Sequence, residues 1–305
     1  MDDAVSLDGA VAIVTGAGDG LGRAEALGLA QAGARIVLND VRPEAAAEVA
    51  DQIKALGSEA VVVAGDVGDW ATGEGLVAAA VQAFGRLDAV VNNAGIVRDR
   101  MIFSMSAEEW DLVMRVHLRG HFVTTRHATA YWRDLAKSGT KVAASIVNTS
   151  SEAFLLGSPG QPNYSAAKGG IVALTLSTAR SCARYGVRAN AICPRARTAM
   201  TSSLMGATPD GFDPMAPEHV APLVTYLASP ASARVTGEVF VVHGGVAALL
   251  GPPTVRATFR TSGGWTTQAI RDALDPVFTA DPPVPGFVCE ETLPLAESTF
   301  DDPRS

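Results

Sequence analysis

Seven short apolar runs recur along the chain, at Val11–Thr15, Arg35–Asn39, Ala60–Ala64, Leu87–Asn92, Ala144–Thr149, Val187–Ile192 and Val239–Val242. They are nearly all apolar rather than alternating, as strands covered on both faces must be. Longer Ala- and Leu-rich stretches of helical period separate them, and this alternation predicts a parallel sheet with crossover helices. Gly33 and Gly57 close two of those helices, and Pro43 marks a helix start. Ser106 and Glu109 have the spacing of a capping box, opening a long helix that passes Trp110, Val113 and Val116. The expected fold class is α/β, one doubly wound sheet of about seven parallel strands with helices on both faces.

After Gly245 the pattern fails. The remaining stretch is rich in Pro, Gly, Thr and Asp, with one short helix expected at about Thr267–Leu274. A length of 305 residues would by itself suggest two domains of about 150 residues each. The strand pattern instead predicts one domain over residues 1–245, and over 246–305 an irregular extension without the apolar periodicity to hold its own core.

A composition of 48% hydrophobic and 18% charged residues excludes disorder over most of the chain. The net charge of −8, without a basic cluster, argues against nucleic acid or an anionic membrane as partner and for a small molecule. Cys182, Cys193 and Cys289 are widely spaced with no CxxC pair, so neither a disulfide framework nor a metal site is expected. The start, Met-Asp-Asp, is acidic where a signal peptide is basic, and no apolar run approaches about 18 residues. A soluble, cytoplasmic protein is expected.

Thr15-Gly16-Ala17-Gly18-Asp19-Gly20-Leu21-Gly22 stands at the first strand–helix turn. Glycines there let backbone approach a pyrophosphate, and the following helix offers free N–H groups and its positive dipole end. The spacing is T-G-x-x-x-G-x-G rather than the strict G-x-G-x-x-G of a Rossmann-type turn. Asp40 ends the second strand, where a carboxylate accepts both hydroxyls of an adenine ribose and repels a 2′-phosphate, favouring NAD over NADP. Asp66 and Val67 follow the third strand, and Asn92-Asn93-Ala94-Gly95 the fourth, at the strand ends where open α/β sheets bind ligands.

Tyr164 and Lys168, four residues apart, share one helix face, and Ser151 lies just beyond the fifth strand. A phenol starts near pKa 10, and bringing it down about three units takes roughly 4 kcal/mol of anion stabilisation. One ammonium about 4 Å away at an effective dielectric near 20 supplies about that much. Lys168 is expected in this role, with the Ser151 hydroxyl aligning a substrate oxygen.

Together, Thr15–Gly22, Asn92–Gly95, Ser151, Tyr164 and Lys168 resemble the short-chain dehydrogenase/reductase family over residues 6–245. The resemblance implies hydride transfer between a nicotinamide and a hydroxyl or carbonyl carbon, with Tyr164 as acid/base. It also implies nicotinamide contacts from Pro194 and Thr198. The family's usual Asn in the fourth helix is replaced by His117, which is expected to keep a proton relay through its main-chain carbonyl. Its usual Pro-Gly after the sixth strand is here Pro194-Arg195. Val116–Gly120, Tyr164–Lys168 and Ala199-Met200-Thr201 further resemble the (3R)-hydroxyacyl-CoA dehydrogenase domain of peroxisomal multifunctional β-oxidation enzymes and related bacterial proteins. That implies NAD and an acyl-CoA or steroid-like substrate.

Phe154, Leu155, Leu156, Met200, Leu204, Met205 and Phe212 are candidates for an apolar substrate lining. Family resemblance implies a homodimer or homotetramer, for which the Trp110–Trp132 and Tyr164–Arg184 segments are candidates. Two other readings stay open: a 3-oxoacyl carrier-protein reductase using NADPH, against which Asp40 speaks, and a non-catalytic nucleotide sensor, against which Ser151, Tyr164 and Lys168 speak.

Overall fold

A computed structural model describes residues 5–201, 208–209, 211–253 and 255–279. Leu204, Met205 and Cys289 lie outside the described residues. The chain divides into two compact units, Met1–Leu250 and Gly251–Ser305.

In the first unit all seven apolar runs form strands: β1 (Val11–Thr15), β2 (Arg35–Asp40), β3 (Ala60–Ala64), β4 (Ala89–Asn92), β5 (Ala144–Thr149), β6 (Val187–Pro194) and β7 (Val239–His243). They pair in parallel. An eighth strand, β8 (Val246–Leu249), pairs antiparallel with β7, giving the order β3-β2-β1-β4-β5-β6-β7-β8. The sequence reading ends the strand pattern at Gly245 and misses this one. Gly244, at φ +47°, turns the chain straight back into β8, whose apolar run Val246-Ala247-Ala248-Leu249 is only four residues long and mostly exposed.

Neighbouring strand residues feed opposite layers, as the two-residue pleat requires. Val14, Ile36, Leu38 and Val147 pack against α1 (Gly20–Gln31) and α2 (Pro43–Ala55). Ile13, Val37, Val90 and Ile146 pack on the other face, with α3 (Trp70–Phe84). Pro43 opens α2 as expected, and the capping box of Ser106 and Glu109 opens α4 (Ala107–Met114).

The long helix after Ser106 is not continuous. A π-helical turn at Arg115–Arg119, with the Gly120 N–H bonded to the Arg115 carbonyl, separates α4 from α5 (Gly120–Lys137). A π turn holds an extra residue per turn, which apolar spacing does not encode, and such turns gather at functional sites. The short α6 (Ala153–Leu156), the long α7 (Pro162–Cys182) and α8 (Ala221–Ala228) complete the layers.

The described part of the second unit contains one helix, α9 (Thr267–Phe278), capped by the Thr266 hydroxyl. It continues a turn beyond the expected Leu274, through Pro276. None of this unit's described side chains is buried.

Candidate active site

The strand order reverses between β1 and β4, and a cleft of about 560 Å³ opens at the carboxyl ends there. Gly16, Asp19, Gly20, Leu21, Asp40, Asp66, Val67, Asn93, Ala94 and Gly95 line it, as do His117, Tyr164, Lys168, Pro194 and Thr198. The sequence candidates from both ends of the cleft therefore meet in one space. Three do not line it: Gly18, Gly22 and Ser151.

Gly22 serves the turn from behind. A Cβ there would stand 2.2 Å from the Gly16 carbonyl oxygen, so only glycine lets α1 close on the loop. The Asn93 side-chain amide donates to the carbonyls of Thr15 and Gly16, tying that loop to β4. Gly16 itself, at φ +63°, lies so close to Ala94 that a Cβ would stand 2.8 Å from the Ala94 Cα. The result is a bare backbone cradle, which fits a pyrophosphate.

Asp40 is buried to 8% exposure, and its two oxygens accept the N–H groups of Gly18 and Arg42, both at 2.9 Å. Gly18 thus positions the carboxylate rather than lining the cleft. The Arg42 guanidinium lies 3.4 Å from the same carboxylate and also lines the cleft. Asp66 accepts from the Gly68 N–H and pairs with Arg115 from the π turn.

At the other end, α7 presents Tyr164 and Lys168. The Lys168 ammonium donates to the Thr149 carbonyl at 2.6 Å and lies 5.3 Å from the centre of the Tyr164 ring. Burial pulls Lys168 down to about 7. It pushes the Tyr164 phenol the other way, up to about 12, against a smaller lowering by the Ser151 hydroxyl. This corrects the expectation that Lys168 depresses the phenol: the cost of desolvating a buried phenolate dominates.

His117 sits on the π turn, buried, its ring edge-on to Tyr164 at 5.2 Å. Its Nε2 lies 2.7 Å from the Ile96 carbonyl oxygen and 3.0 Å from the Ile96 amide nitrogen, and burial holds the imidazole well below its ordinary range, so it is neutral. It forms a wall, and a Cβ on Gly95 would strike it at 2.4 Å. The His117 carbonyl, the atom expected to carry the relay, accepts the Nδ1–H of His121 at 2.8 Å. His121 is also buried, and burial holds it down at about 3. Sequence reasoning missed it, although its i, i+4 spacing from His117 puts both on one helix face.

The apolar lining also differs. Met200 lines the cleft, but Phe154, Leu155, Leu156 and Phe212 do not; Ile96, Leu112 and Val116 take their place. Phe154–Leu156 form α6, while Phe212 is 67% exposed beside His219. Among the described residues no group of His, Cys, Asp or Glu could hold a metal ion, and no helix is long and apolar enough to cross a membrane.

A model of the short chain dehydrogenases matches residues 10–207. The chain belongs to the short chain dehydrogenase family. It is 53% identical over 299 residues to the hydroxyacyl-CoA dehydrogenase ChsB1 of Mycobacterium tuberculosis, covering 94% of each chain. To the peroxisomal multifunctional enzyme type 2 of Mus musculus it is 38% identical over 283 residues, 89% of this chain but 37% of that protein. A crystal structure of a short chain dehydrogenase from Mycobacterium avium superposes with a TM-score of 0.81 at 47% identity, covering 92% of this chain and 98% of that one. The resemblance drawn from the sequence holds in both its parts. This short chain dehydrogenase is an oxidoreductase of the nicotinamide-dependent class, and its cleft has the cradle and the buried phenol–ammonium pair in one continuous space.

Proposed function

We propose that the chain interconverts a secondary alcohol and a ketone with NAD(H), acting on a 3-hydroxyacyl-CoA ester, with Tyr164 as acid/base. The observation that carries this reading is the single cleft with Asp40 at one end and Tyr164 with Lys168 at the other. The similarity to a hydroxyacyl-CoA dehydrogenase over 94% of the chain supports the substrate class.

A bound nicotinamide supplies the hydride acceptor and, when oxidised, a positive charge. The chain's own groups do the rest. Ser151 holds the substrate oxygen in line, and Tyr164 takes its proton as the alcohol is oxidised, returning it in reduction. Lys168, poised near neutrality and anchored to the Thr149 carbonyl, holds charge beside the phenol. Neutral His117 walls the site without competing for that proton.

The test is turnover of 3-hydroxyacyl-CoA esters and hydroxysteroids with NAD and with NADP. NAD-linked oxidation of a 3-hydroxyacyl-CoA is expected; clear preference for NADPH and a carrier-protein ester rejects the reading. Asp40 is the expected selector. Asp40→Asn keeps the shape and one of the two acceptor oxygens that serve Gly18 and Arg42, and removes the charge that repels a 2′-phosphate, leaving the Arg42 guanidinium to attract it. The ratio of kcat/KM for NADP to that for NAD should rise about tenfold, or about 1.4 kcal/mol. An unchanged ratio rules Asp40 out as selector.

A further inference from the structure

The residues on either side of Ser151 are both locked, each to a different element. The Ser150 hydroxyl donates to the carbonyl of Lys168 at 2.9 Å, fixing the end of β5 to α7. Glu152 is 7% exposed and accepts two bonds from one guanidinium, Arg195 Nε at 2.7 Å and Nη2 at 2.8 Å. Arg195 directly follows Pro194 at the end of β6, and its Nη1 lies 3.5 Å from Nε2 of His243 at the end of β7. Neither Glu152 nor Arg195 lines the cleft, and each charge is taken up by the other. A bidentate guanidinium–carboxylate pair fixes orientation as well as distance, and this one bridges the loop bearing Ser151 to the strand end bearing Pro194.

We propose that Arg195 and Glu152 are a pair of positioning residues, clamping the Ser151 loop to the end of β6 so that the Ser151 hydroxyl is held in register with Tyr164. The inference rests on the alcohol-dehydrogenase reading above. In isolation a buried ion pair is weak evidence for stability, because desolvation offsets the attraction. Its value here is geometric. Ser151 is otherwise restrained by the Ala153 N–H donating to its hydroxyl at 3.2 Å, the Phe154 N–H donating to its carbonyl at 3.3 Å and its hydroxyl's own bond with Tyr164, and reacting groups misplaced by about 1 Å lose about a hundredfold in rate.

Removing Arg195 alone strands the buried Glu152 carboxylate, and removing Glu152 alone leaves the half-buried Arg195 without its carboxylate, so single variants confound folding with function. The deciding variant removes both, Glu152→Leu with Arg195→Met, and Arg195→Lys is made beside it to keep the charge while losing the fork. Thermal unfolding, kcat for 3-hydroxyacyl-CoA oxidation and the primary deuterium isotope effect on kcat are measured for each. Expected for the double variant is a Tm close to that of the parent and a kcat at least about tenfold lower, with a larger isotope effect as hydride transfer becomes limiting. Arg195→Lys should show the same loss in kcat. A double variant that regains both Tm and kcat, to within twofold of the parent, overturns the clamp and leaves the pair a purely structural one. If the double variant fails to fold, a folded Arg195→Lys with parental kcat overturns it equally. A parent without NAD-linked turnover defeats the functional reading instead, so the two failures are distinguishable.

Discussion

Tyr164→Phe is expected to fold as the parent does and to lose alcohol oxidation by about 10²–10⁴-fold, the contribution of one positioned proton-transfer group. The variant keeps the ring and therefore its packing, edge-on to His117 at 5.2 Å and beneath the Lys168 ammonium at 5.3 Å. What it loses is the hydroxyl. Steady-state kcat with NAD and a 3-hydroxyacyl-CoA reads the effect, with thermal unfolding as the control for folding. Wild-type turnover in a folded variant would show that another group moves the proton. Burial pushes the phenol up to about 12, and the positive charge of a bound oxidised nicotinamide would act in the opposite direction. NADH binding by the variant, followed by fluorescence, should stay within a few-fold of the parent, because the glycine cradle and Asp40 do not depend on the phenol.

The sequence made most of the frame legible for a simple reason. Strands buried on both faces must be apolar throughout, so β1 to β7 announce themselves, and the chemistry of a doubly wound sheet gathers at their carboxyl ends. Asp40, Asn93, Tyr164 and Lys168 could be placed because each sits next to a strand end or shares a helix face. What stayed hidden depends on contacts rather than order. The π turn changes the number of residues per turn without changing their polarity, and it aims His117 at Tyr164. The clamp joins Glu152 to Arg195 across 43 residues of sequence, so no local spacing hints at it. The direction of the Tyr164 shift follows from burial, which no motif encodes. Asp and Glu are presumed solvated in a helix, and this hid Glu25, a fully buried carboxyl in the middle of α1.

Glu25 carries the second large expectation. Both of its carboxyl oxygens are buried without a hydrogen-bond partner, and burial pushes it from an ordinary value near 4.5 up to about 8, against a smaller lowering by the charge of Lys168. Between those two values the folded protein holds a proton that the unfolded chain has released. Stability is therefore undiminished by Glu25 below about pH 4.5, falls as pH rises towards 8, and levels off above it. The loss at its plateau is about 5 kcal/mol, from about 1.4 kcal/mol for each pKa unit. Glu25→Gln has nearly the same shape and no proton to lose. Its Tm should match that of the parent near pH 4.5 and exceed it increasingly up to pH 8, by about 10–20 °C at about 2–4 °C per kcal/mol. Scanning fluorimetry across that range decides: a difference in Tm that does not vary with pH would mean that Glu25 is not protonated in the folded state.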